Sequence, residues 1–167
     1  MNLKNLFRKI FAKQDFVVCS RNMRNNDKNS LYWKIAKKYN IEDILKENPT
    51  LTIQGEQGNT NVQGNKYGIT EPSFWVFNII DHVHDYHFNY NEMNNFCLKY
   101  GLKPVPLVYF GKLSDVATNV NEMVEFSKGK SVLANIQREG VVVRCIENGK
   151  KVFSFKAINP DFLLNYD

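Results

Sequence analysis

Cysteine is scarce in this 167-residue chain: it has three, Cys19, Cys97 and Cys145. They are odd in number, far apart and nowhere spaced Cys-x-x-Cys. That argues against a disulfide framework and against a cysteine-built zinc site. They read as free, buried thiols of a reducing compartment, the cytoplasm. Long apolar runs are also missing, so no stretch reads as a membrane span. There is no internal repeat and no linker. Charge of one sign is only mildly in excess, at +5 with a pI near 9.0. Such a balance suits a polyanionic partner but does not by itself identify one. What is present is a core-forming composition, with 43% hydrophobic and 13% aromatic residues, which excludes plain disorder.

The opening stretch, MNLKNLFRKIFAK, places Leu3, Leu6, Phe7, Ile10 and Phe11 at helical spacing among lysines and Arg8. A basic amphipathic helix could lie on a membrane or serve in targeting. Against a chain with no other membrane signal, the preferred reading is a core edge with solvated lysines.

From residue 15 the pattern alternates between the two periods. DFVVCS (15–20), LTIQGE (51–56), SFWVFNII (73–80) and PVPLVYF (104–110) predict strands. SLYWKIAKKYN (30–40), IEDILKEN, NEMNNFCLKYGL (91–102) and NVNEMVEFSKGK (119–130) predict helices, with Ser30 and Asn91 as N-caps and Gly101 and Gly129 as stops. Residues 57–72 are a Gly/Asn-rich loop. REGVVVRCIE and KKVFSFKAI flank Asn148-Gly149, the strongest hairpin signal in the sequence. The expected fold class is α+β, one domain of mostly antiparallel sheets with flanking helices. The three consecutive valines 141–143 predict a buried strand whose mouth carries Arg138, Glu139 and Gly140.

Four places set polar groups beside apolar strands: Ser20-Arg21-Asn22, Gly55-Glu56, Arg138-Glu139-Gly140, and Lys156 within VFSFKAI. Singly, each reads as a solvated strand end. Together they suggest a cleft lined by two carboxylates and several cations. A carboxylate that holds a hard cation, with Lys and Arg meeting phosphate charge, is the pattern of a metal-assisted phosphate site. Among residues 74–77, Trp75 and Phe77 alternate onto one strand face, and one such ring could stack on a purine. DHVHDYH (81–87) crowds His82, His84 and His87 near Asp81 and Asp85, but without a fourth ligand it reads as a surface hairpin rather than a zinc site.

VCSRN, IQGE, SFWVFNI, REGVVVR and FSFKAINPDFLL occur in an order that resembles ATP-dependent RNA ligases, of the covalent nucleotidyltransferase superfamily. The resemblance spans roughly residues 15–166. It implies a partial nucleotidyltransferase domain of the ATP-grasp-like ligase kind over 15–167, with 1–14 a non-matching N-terminal segment. It also implies the reaction: a lysine attacks the α-phosphate of ATP, AMP passes to an RNA 5′-phosphate, and a 3′-hydroxyl expels it, with Mg2+ assisting. The implied partners are ATP and broken or nicked RNA ends, with no membrane. By the same resemblance Arg21 lies near the nucleotide and the 5′-phosphate, and Glu56 contacts the adenosine. Phe77, or alternatively Trp75, stacks on adenine. Glu139 is the metal-associated carboxylate, and Lys156 contacts the α-phosphate.

One departure stands out. The family's nucleophile motif, Lys-x-Asp-Gly, should shortly precede SRN, and it is absent. Upstream lie only Lys4, Lys9 and Lys13, and Lys4 is followed by Asn5, Leu6 and Phe7. The expectation is therefore the C-terminal part of an adenylyltransferase domain, catalytically incomplete as this chain. It would be a fragment, a non-catalytic nucleotide- or RNA-binding remnant, or one half of a split ligase completed by a separate chain. An unrelated basic α+β protein is the remaining reading.

Overall fold

The computed structural model describes residues 15–59 and 65–166. The expected amphipathic segment 1–14 and part of the Gly/Asn-rich loop lie outside them. The described residues form two compact units, the first of 15–59 with 70–105 and the second of 65–69 with 106–166. The architecture is α+β, as expected.

In the first unit, helices α1 (Leu31–Lys38) and α2 (Ile41–Glu47) come first. The Ser30 hydroxyl accepts from the Trp33 N–H at 3.5 Å, as its N-cap position predicts. Strands β1 (Leu51–Gly58) and β2 (Ser73–Asp81) pair antiparallel, and the short β3 (Tyr86–His87) adds to β2 through the histidine-rich hairpin. Helix α3 (Tyr90–Tyr100) carries a full capping box. The cap is Asn89 with Glu92, not the expected Asn91, because Glu92 reaches back to the Asn89 N–H at 2.8 Å. Gly101 ends the helix at φ +67°, as predicted. Ala36, Ile41, Ile44, Val76, Ile79, Met93, Cys97 and Leu102 make the core.

Two strand expectations fail here. Residues 15–20 form only an isolated bridge between Cys19 and Arg24, because the chain reverses at Ser20, whose N–H donates to the Met23 carbonyl at 2.8 Å. The segment 104–110 pairs only at β4 (Lys103–Pro104), parallel to β2. Val105 N–H still reaches the Val76 carbonyl at 2.8 Å, but Pro104 and Pro106 have no N–H to extend the ladder.

In the second unit, a 3-10 turn at Leu113–Asp115 precedes α4 (Val120–Ser127), capped by Asn119. Strands β5 (Gly140–Glu147) and β6 (Lys150–Ile158) form the predicted hairpin, with Asn148 and Gly149 at φ +49° and +76°. Helix α5 (Pro160–Tyr166), not foreseen, follows directly. Ala117, Met123, Val141 and Ala157 form a small core, with Leu113, Phe126 and Val143 packed on it. The valine run is not a buried strand. Among the described residues the sheet has two strands, so alternation puts Val141 inward while Val142 stays 61% exposed.

Candidate active site

The REG segment is built from its backbone outward. The last carbonyls of a helix lack intrahelical donors. Arg138 supplies them for α4: its Nε donates to the Ser127 carbonyl at 2.9 Å and its Nη2 to the Phe126 carbonyl at 2.6 Å. Its N–H donates to the Gly129 carbonyl at 2.8 Å. Burial pushes the guanidinium below its ordinary value, yet Arg keeps its charge in proteins. Arg138 therefore anchors the segment.

Asn159, fully buried, fixes the other side. Its side-chain amide donates to the Arg138 carbonyl at 2.9 Å. Its backbone N–H donates to the Glu139 carbonyl at 2.9 Å, and its side-chain oxygen accepts from the Asp161 N–H at 3.0 Å as α5 begins. Sequence reasoning passed over Asn159, though Asn-Pro at a helix start is a readable cap signal. Gly140 sits at φ +149°, and a Cβ there would lie 2.1 Å from the Ala157 carbonyl oxygen. Only glycine allows β5 to come that close to β6.

The outcome of this framework is the placement of Glu139. Its carboxylate pairs with the Lys156 ammonium, although 17 residues separate the two. Lys156 stands opposite Val142, on the face of β6 that also carries Ser154 and Ile158. Phe153 and Phe155 stack on the other face at 6.1 Å, so the lysine is not enclosed by them. The two side chains of the pair keep 49% and 44% of their exposure. A pair this open contributes little to stability and stays accessible to a ligand. One carboxylate oxygen donor set suits a divalent cation whose other ligands are phosphate oxygens and water. Among the described residues no three His, Cys, Asp or Glu side chains gather into a protein-only metal cage.

Arg21, Glu56 and Phe77 belong to the first unit. Arg21 is exposed at the tip of the loop closed by the Cys19–Arg24 bridge. Glu56, exposed on β1, stands directly opposite Trp75, and directly opposed residues share a sheet face. A register shift at Gln54/Gly55 leaves Phe77 as the extra residue of β2. The bulge interrupts the simple alternation predicted for Trp75 and Phe77: Val76 and Ile79 both enter the core, and Trp75 shares the face of Glu56. Gly55 is needed at that bulge, where a Cβ would meet the Phe74 ring and the Trp75 carbonyl at 2.5 Å. In the histidine segment, Asp81 binds His84 at 2.8 Å, His82 meets Thr52 at 2.7 Å and His87 faces Asn78 at 3.4 Å.

The fold is similar to that of the Naegleria gruberi RNA ligase with PPi, at a TM-score of 0.74 and 22% identity, over 90% of this chain and 47% of that one. A mutant of that ligase with AMP and Mn aligns at 0.72 and 21% identity, again over 90% and 47%. Another mutant, with ATP and Mn, aligns at 0.73 and 20%, over 89% and 46%. The chain thus spans about half the length of the ligase it matches. No curated protein matches. The sequence matches the family model for RNA ligase over residues 6–158, which sets aside an unrelated α+β protein, and the chain belongs to the RNA ligase family.

Proposed function

We propose that this chain supplies ATP- and metal-binding groups for ATP-dependent joining of RNA 3′-hydroxyl and 5′-phosphate ends. In this reading the chain is catalytically incomplete by itself, since its 167 residues contain no Lys-x-Asp-Gly. The observation that carries this reading is the half-exposed Glu139–Lys156 pair on a backbone fixed by Arg138, Asn159 and Gly140. In this reading Lys156 meets the α-phosphate and Glu139 holds the divalent cation, Mg2+. When bound, the metal offsets phosphate charge and favours loss of the leaving group. Arg21 serves the nucleotide and the RNA 5′-phosphate. Glu56 serves the adenosine, and Phe77 or Trp75 the adenine ring. The reaction belongs to RNA repair. Three free thiols, and no described helix able to cross a membrane, suit a cytoplasmic setting.

The test is incubation with α-labelled ATP and Mg2+. The expected result is no covalently labelled protein, but non-covalent ATP–metal binding that weakens in Glu139→Ala and Lys156→Ala. A labelled band that vanishes in Lys4→Ala would make Lys4 the nucleophile and overturn the reading. Binding indifferent to both substitutions would overturn the site.

A further inference from the structure

Glu139 lies one residue before the first ladder pair of β5, Gly140 with Ile158. Its carbonyl is held by Asn159, but β6 offers nothing to its N–H. That N–H donates to the Tyr67 hydroxyl at 3.2 Å, across 72 residues of sequence. Tyr67 is itself held. Its ring stacks on Phe162 at 6.3 Å and 20°, and Phe162 is buried. The neighbouring Lys66 ammonium lies 5.2 Å from the same ring centroid. The turn that carries both is locked by Asn65. Its amide donates to the Ile69 carbonyl at 2.8 Å and its side-chain oxygen accepts the Ile69 N–H at 2.7 Å. Gly68 N–H closes onto the Asn65 carbonyl at 2.9 Å.

We propose that Tyr67 is a positioning residue for Glu139. The inference rests on the reading of Glu139 as the metal-associated carboxylate. The Arg138–Glu139 peptide and the one after it are pinned from both sides, by the phenol at the N–H and by Asn159 at the carbonyls. Rotation of either peptide would swing the Glu139 Cα–Cβ bond and move the carboxylate. A metal ion tolerates little such movement, so supporting hydrogen bonds tune affinity without touching the ion. Tyr67 thus acts on the metal through the backbone of Glu139.

Tyr67→Phe removes the acceptor and keeps the ring on Phe162. Two readouts separate the inference from the functional reading. The first is amide hydrogen exchange by NMR. Glu139 N–H should be protected in the native chain and exchange faster in Tyr67→Phe, while Asn159 N–H keeps its protection. The second is titration with Mn2+ at fixed ATP. The apparent Mn2+ affinity should fall by about 3- to 10-fold, the effect of one lost hydrogen bond, while metal-free ATP binding holds. Tyr67→Leu, which also loses the stacking, should show the same Glu139 exchange if it folds; if it does not, Tyr67→Phe decides. Unchanged Glu139 exchange in Tyr67→Phe overturns the positioning role. So does an equal loss of Mn2+ and ATP affinity, which would mark a merely structural residue. If Glu139→Ala leaves Mn2+ binding intact, the functional reading fails, and the exchange result still judges the Tyr67–Glu139 bond.

Discussion

Gly140→Ala should cost more than any other single-methyl change in the second unit. The new Cβ would lie 2.1 Å from the Ala157 carbonyl oxygen, 3.1 Å from its carbon and 3.0 Å from the Ile158 Cα. All three are backbone atoms, so no side-chain rotamer relieves the clash. Relief requires the strands to part by about 1.4 Å, since ordinary non-bonded contact needs roughly 3.5 Å and the oxygen would lie at 2.1 Å. A φ of +149° adds strain for alanine even in open space. Conformational strain alone is about 1–3 kcal/mol, and opening the end of the ladder brings the total to about 3 kcal/mol. For a chain of this size that lowers the melting temperature by about 6–12 °C. Gly101→Ala is the control: it shares a positive φ, but nothing lies within 4 Å of its Cβ position, so the drop should be about 1 kcal/mol. Circular dichroism melts should be paired with amide exchange at Ala157 and Ile158. Both tryptophans, Trp33 and Trp75, lie in the first unit, so their fluorescence is the wrong probe. Equal melting temperatures for the two variants, or a Gly140→Ala chain within about 2 °C of native, would refute the close-approach argument.

Alkylation at pH 8 should label exposed Cys19 quickly and spare Cys97, which is buried and whose thiol burial pushes up to about 11; mass spectrometry reads the order, and early Cys97 labelling would contradict the core assignment. Asp81 should titrate low. Burial acts to raise its pKa, but hydrogen bonds from the His84 ring, the Val83 and His84 N–H groups and Thr50 outweigh it. Because the folded value is depressed, its stabilisation is present above the unfolded value of about 3.9 and is lost as pH falls through the folded value. The Val83 amide resonance should report a midpoint below about 3.9, and a midpoint above that would reverse the sign.

Local chemistry was legible in the sequence; distant partners were not. Asn148-Gly149 fixed the β5–β6 hairpin because both residues tolerate positive φ, and Ser30 announced α1 because a hydroxyl at that position meets a free N–H. The ring face on β2 is not legible in the sequence, because one bulge at Gln54/Gly55 resets alternation for every residue beyond it. Burial of the valine run is not legible for another reason. β-branched residues favour strands, but burial of both faces requires layers that no local pattern reveals. Glu139 and Lys156 could be named from the ordered segments around them, and the structure brings them together. Tyr67 could not be named, since a phenol bonded to an amide 72 residues away leaves no local trace.

The short turn at 65–69 has a consequence for how the molecule can be divided. It lies within the connection between β1 and β2 of the first unit, yet it is part of the second. The polypeptide therefore passes between the units three times, and no single scission separates them. A cut after Val105 would release residues 106–167 with the β5–β6 hairpin, Arg138 and Asn159 all present. It would also leave the Glu139 amide without the oxygen that receives it, so the smallest contiguous piece holding Glu139 in its native setting begins before Asn65, not at Pro106.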